Sequence, residues 1–83
     1  MKRFKALRGA MIAKGIDQRY LAELLGRGEC YISHRMTGKA EWSMNEMYQI
    51  MDILDMPYER LHEMFPKDGI SNEVHEYKRR MAL

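Results

Sequence analysis

The chain reads as a small all-α domain of five short helices, and three observations carry that expectation. Apolar residues recur at spacings of three and four through residues 4–65, and no alternating run competes as a strand. Capping and stopping residues (Gly15, Asp17, Gly26, Gly38, Ser43, Pro57, Pro66) fall between the periodic segments. Gln18, Ala22, Gly26 and Ile32 have the spacing of two helices meeting at a tight corner, a helix-turn-helix. Residues 1–66 are read as the helical domain and 67–83 as a C-terminal tail or dimerisation segment. A chain of 83 residues builds a core that stabilises only marginally, so pairing with a second copy is expected.

Each element has its own grammar. Phe4, Leu7, Met11 and Ile12 form the stripe of a first helix that ends before Gly15. Asp17 is placed to cap a second helix with Leu21, Leu24 and Leu25 as its buried face. Ala22 is small because the next helix crosses close above it. Gly26 stands where the second helix must stop and the backbone take a positive φ. A third helix from about Gly28 to Met36 turns Ile32 and Met36 inward and stops at Gly38. Ser43 with Glu46 forms a capping box, and Trp42 with Met47 has the spacing of a hydrophobic staple. They open a fourth helix whose inner face is Met47, Ile50, Met51 and Leu54. Pro57 suits entry to a fifth, with Tyr58, Leu61 and Phe65, closed by Pro66 and Asp68-Gly69. Val74, Tyr77 and Met81 suit a short helix capped by Ser71 or Asn72, but a frayed terminus fits as well.

Charge is divided unevenly. Residues 1–42 hold nine Lys/Arg against four Asp/Glu, net +5, whereas 43–83 hold five against eight, net −3. A basic half joined to an acidic half suggests one face toward nucleic acid and one away from it. The single cysteine, Cys30, makes no internal disulfide, which fits a reducing cytoplasm. No apolar run approaches the roughly 20 residues of a membrane span, and the basic N-terminus lacks a signal-peptide core. No membrane partner is expected.

The run Gly15-Ile16-Asp17-Gln18, then Leu21-Ala22-Glu23-Leu24-Leu25-Gly26, Ile32-Ser33 and Gly38-Lys39, resembles the Cro and lambda-repressor-like helix-turn-helix family. The likeness continues through Trp42-Ser43 to Ile50–Leu54 and Leu61, and is nearest to small phage proteins with an aromatic-Ser/Thr pair after Gly-Lys. It implies a compact five-helix DNA-binding domain that binds operator DNA as a two-fold dimer and represses transcription. It also implies that Glu29, Cys30, Ser33 and His34 reach base edges and that Lys39 touches the DNA backbone.

The residues themselves refine that picture. The commonest base readers, Arg or Lys on guanine and Asn or Gln on adenine, are absent from the outer side of the third helix. Glu29 can accept from cytosine, His34 can donate to guanine, and Cys30 can pack on a thymine methyl. Readout is therefore expected to be modest and supplemented by DNA shape. Phosphate contacts are expected from Gln18 at the start of the second helix, and from Arg19, Arg27, Tyr31, Arg35 and Lys39. Arg27 and Arg35 occupy positions where the family usually has apolar residues. Each has two placements, out to phosphate or with its stem laid over the core edge.

Other chemistry is set aside. Cys30 and His34 have a zinc-compatible spacing, but two ligands do not make a site. No nucleophile triad, phosphate-cradling glycine loop or Cys-x-x-Cys is present, so no enzyme, cofactor, metal or small-molecule ligand is expected. Two functions remain: a DNA-binding regulator, or a protein-interaction module on the same fold, such as an antirepressor or an antitoxin. For the first, the partners are operator DNA and a second copy, with Tyr58, Leu61 and Phe65 at the dimer interface.

Overall fold

The computed structural model describes residues 3–67 and residue 69, so the expected Val74/Tyr77/Met81 stripe lies outside the described residues. Among the described residues all regular structure is helical. The α-helices are α1 (Lys5–Ala13), α2 (Gln18–Leu25), α3 (Glu29–Met36), α4 (Met44–Ile53) and α5 (Leu61–Met64), with a 3-10 turn at Tyr58–Arg60 before the last. Helix α2 packs on α3, and α5 packs on both α1 and α4.

One core joins all five helices. Leu7 of α1, Leu21 of α2, Ile32 and Met36 of α3, and Ile50, Met51 and Leu54 around α4 are fully buried. Phe65 closes the far end, its ring edge-on to Trp42 (5.8 Å between centroids) and Phe4 (6.2 Å). Such pairs set a positively polarised ring edge against a negative face, which adds to the area they bury. The N-terminal segment is tied to this end as well. Phe4 takes φ 56 and donates its amide to the Gly69 carbonyl at 2.6 Å. Gly69 is buried, so the packed unit runs past the boundary expected at residue 66.

Helix ends follow the local rules read from the sequence. Asp17 accepts the Tyr20 amide at 2.8 Å, and the Ser43–Glu46 capping box is complete in both directions. Helix α4 ends in a left-handed residue that is not glycine, Asp55 at φ 53, with the Met56 amide bonded back to the Met51 carbonyl at 2.9 Å.

Several core assignments need correcting. Ile12 is 78% exposed and Leu24 46% exposed. Both lie about 100° or more around their helices from the centre of the buried stripe, at 100° per residue. In α2 that stripe is Leu21 and Ala22 with Leu25 partly buried. The fifth helix is also shorter than Pro57 suggested. Tyr58 sits in the 3-10 turn, 53% exposed, donating its hydroxyl to Asp52 at 2.6 Å. Met64 takes the inward place instead, and Phe65, expected at a dimer interface, is a core residue only 7% exposed.

Candidate nucleic-acid interface

The α2–α3 corner is built from backbone conformation more than from side chains. After Leu25 the chain turns left-handed at Gly26 (φ 67), and the amides of Gly26 and Arg27 bond back to Glu23 (3.1 Å) and Ala22 (2.9 Å) carbonyls. This double closure satisfies carbonyls that a helix end leaves open. Gly28, extended at φ −74 and ψ 157, then starts α3 without a side-chain cap. Gly38 ends α3 in the same manner as Gly26 (φ 83), its amide and that of Lys39 returning to Arg35 and His34 carbonyls. A Cβ on Gly38 would lie 2.6 Å from the Arg3 Nε, so the end of that side chain would have to shift, and the positive φ strains any other residue there.

Between these stops, α3 has two unlike sides. Ile32 and Met36 are wholly buried, whereas Glu29, Cys30 and His34 are exposed and Ser33 is half-buried. Cys30 and His34 therefore lie on the side of α3 away from the core, Ser33 stands at its edge, and Glu29 is exposed at the first position of the helix. Around them, Arg19, Arg27 and Lys39 are exposed, and Gln18 is half-buried at the first position of α2. Among the described residues no group of three or more His, Cys, Asp or Glu gathers as metal ligands.

Tyr31 and Arg35 behave differently from the other expected phosphate contacts. Both turn toward α4, where Glu46 is buried. The Tyr31 hydroxyl donates to Glu46 Oε2. Arg35 lays its guanidinium 3.4 Å from the centre of the Tyr31 ring, with Nε 3.5 Å from Glu46 Oε1, within ion-pair distance but not aligned as a hydrogen bond. Arg27 approaches the same ring at 4.9 Å while remaining exposed. Of the two placements open to these arginines, the core edge describes Arg35, whose side chain is 18% exposed.

The electrostatics follow from this geometry. The hydrogen bond to Glu46 raises the Tyr31 pKa above that of a free phenol, and burial adds to the rise. For Glu46, burial alone pushes the carboxyl upward. Hydrogen bonds from Tyr31 and Ser43, with the nearby Arg35 charge, outweigh burial and hold it below the ordinary glutamate range. From the sequence, Glu46 was visible only as the partner of Ser43. The signal for its second role is Arg35 itself: a cation where an apolar residue is usual, four residues after a tyrosine, calls for a buried carboxylate.

A family described as "Protein of unknown function (DUF739)" has a model that matches residues 2–68. The chain belongs to that family. The match spans all the helices described above. No curated protein and no solved structure matches the chain. Among the described residues, no helix of this DUF739 protein is long and apolar enough to cross a membrane.

Proposed function

We propose that this protein is a sequence-specific DNA-binding regulator of the Cro/repressor-like type, acting in the cytoplasm of a bacterial or phage-infected cell. It binds operator DNA as a homodimer with α3 in the major groove. The observation that carries the reading is the outer side of α3. Glu29, Cys30 and His34 are exposed there on a helix held from behind by Ile32 and Met36. A two-helix corner that presents one helix in this way is the form used to enter a major groove. Arg19, Arg27 and Lys39, with Gln18 at the α2 start, are the phosphate contacts that orient the helix without reading sequence. The reading involves no catalysis.

Selection of bound sequences from a random duplex pool tests it. The expected result is a two-fold symmetric site with half-sites about 10 base pairs apart. Binding should weaken with salt at about 0.9 in log affinity per neutralised phosphate. An unenriched pool with only weak, salt-sensitive binding would overturn it. The exposed carboxylate of Glu29 at the start of α3, and the absence of Arg, Lys, Asn or Gln among Glu29, Cys30, Ser33 and His34, favour a second reading. In that case the same surface docks a protein, as in an antirepressor or antitoxin.

A further inference from the structure

Helix α3 is eight residues long and has weak ends. Its start is an uncapped glycine, and the residue after its C-cap is a left-handed glycine. Its fully buried apolar attachment is a single line, Ile32 and Met36, four residues apart on one edge, with the Tyr31 ring partly buried beside it. A single line of contact fixes where a helix lies but resists rotation about that line only weakly. Something else must set which side chains point outward.

The second line of attachment is polar. Tyr31 and Arg35 are also four apart and lie one position behind the apolar pair. Both converge on one carboxylate, that of Glu46. That carboxylate is itself anchored by Ser43. Its Oε1 accepts the Ser43 amide at 2.9 Å, and its own amide donates to Ser43 Oγ at 3.2 Å. Arg35 also donates from Nη1 to the Tyr31 carbonyl at 3.4 Å, bracing the pair along the helix. At the C-terminal end, Arg8 of α1 donates from Nη2 to the Met36 carbonyl at 3.3 Å. These contacts leave Cys30 and His34 on the far side, with Ser33 at its edge and Glu29 at the helix start, and base readout tolerates only about 10–20° of error in such placement.

We propose that Glu46, acting through Tyr31 and Arg35, is the positioning residue that sets the rotation of α3, and with it the specificity of the surface α3 presents. The inference rests on the DNA-binding reading for its specificity half, while the rotation half stands alone. Glu46 touches no base. Its role is to hold the helix that does.

Tyr31→Phe and Glu46→Gln are the informative variants. Phenylalanine keeps the ring under Arg35 and removes only the hydroxyl. Glutamine keeps an acceptor for the Ser43 amide, as the capping box allows, and removes the charge that Arg35 faces. Met64→Ala is the control, because it removes a buried α5 side chain and weakens the core while leaving the contacts among Tyr31, Arg35, Glu46 and Ser43 in place. Residual dipolar couplings of the full chain, without DNA, report the orientation of α3 relative to α1, α2 and α4. A changed or broadened orientation confined to α3 is expected in the first two variants and not in the control. An unchanged α3 in both variants overturns the proposal, whatever the duplex data show.

The second readout is the ratio of affinities for the selected duplex and a scrambled duplex of equal length. We expect that ratio to fall about tenfold in both variants, the worth of one lost base contact, and to stay within about twofold in Met64→Ala. The salt slope should be unchanged; a slope lowered by about 0.9 in Tyr31→Phe would make Tyr31 a direct phosphate contact and overturn its positioning role. An equal loss of the ratio in all three variants would reduce the network to general stability. If the wild-type chain selects no duplex while α3 still reorients, the DNA reading fails and the positioning of α3 by Glu46 survives it.

Discussion

The two sides of α3 differ in how their residues are held. On the inner side Ile32 and Met36 are wholly buried, and Tyr31 and Arg35 are engaged by Glu46. On the outer side Glu29, Cys30 and His34 are exposed to solvent. The lesson is a division of labour within one eight-residue helix. One side is constrained by packing and pairing, and the other is left to vary in chemistry without cost to the fold.

That contrast is breakable, most severely from the inner side. Ile32→Ala removes a fully buried side chain from the α2–α3 contact and should cost about 2–5 kcal/mol in denaturant unfolding. On a domain this small, that is a large share of the total stability. The outer side should answer in a different observable. Glu29→Ala and His34→Ala should leave stability within about 0.5 kcal/mol. Each should change base preference at one operator position by about 1–3 kcal/mol in competition binding. An outer-side variant that unfolds the domain would erase the distinction. Gly38→Ala tests the boundary between the sides. Its positive φ should cost roughly 1–2 kcal/mol in thermal unfolding, and Arg3 must move to admit the Cβ.

Acid titration sharpens the comparison further. The folded-state pKa of Glu46 lies below its ordinary value near 4.5, so its stabilising contribution is fully present above that value. It is lost as pH falls through the lowered folded value. Stability measured by denaturant unfolding should therefore decline on that acid limb, and Glu46→Gln should flatten the decline. The smallest expected effect lies away from α3. Asp55→Gly relieves a left-handed aspartate but removes an exposed ion pair to Lys14 (3.1 Å). Surface pairs of this kind are worth about 0–1 kcal/mol, so a net gain below about 1 kcal/mol is expected in thermal unfolding.

Much of the fold was legible because short-range physics controls it. Asp17, Gly26, Gly38 and the Ser43–Glu46 box act within a few residues of themselves, and each stands where its spacing placed it. The inward turn of Ile32, Met36, Ile50, Met51 and Leu54 was legible for the same reason, since one period governs each helix. Ile12 and Leu24 were misplaced because hydrophobicity alone cannot centre a stripe; the neighbours that a helix meets decide that. Tyr58 and Phe65, read together as one fifth-helix stripe, part company for a related reason, Tyr58 exposed and Phe65 in the core. A 3-10 turn at Tyr58–Arg60 changes the phase of every residue after it, and nothing local announces the turn. At the candidate site, the exposure of Glu29, Cys30 and His34 could be read from the apolar complement of α3, whereas Tyr31, read as outward, turns to Glu46. The joining of Tyr31, Arg35 and Glu46 could not, because it spans two helices.

The Phe4–Gly69 hydrogen bond bears on how the ends of the domain breathe. A backbone amide at the edge of a packed unit, just before its first helix, ordinarily exchanges with solvent at nearly its free rate, since fraying at such edges is easy. Here that amide is bonded to the segment following α5, and the Phe4 side chain lies in the core beside Phe65. Release of the Phe4 hydrogen therefore requires the two ends of the packed unit to part together. Its exchange rate should follow that joint opening, making Phe4 a natural reporter for separation of α5 from α1.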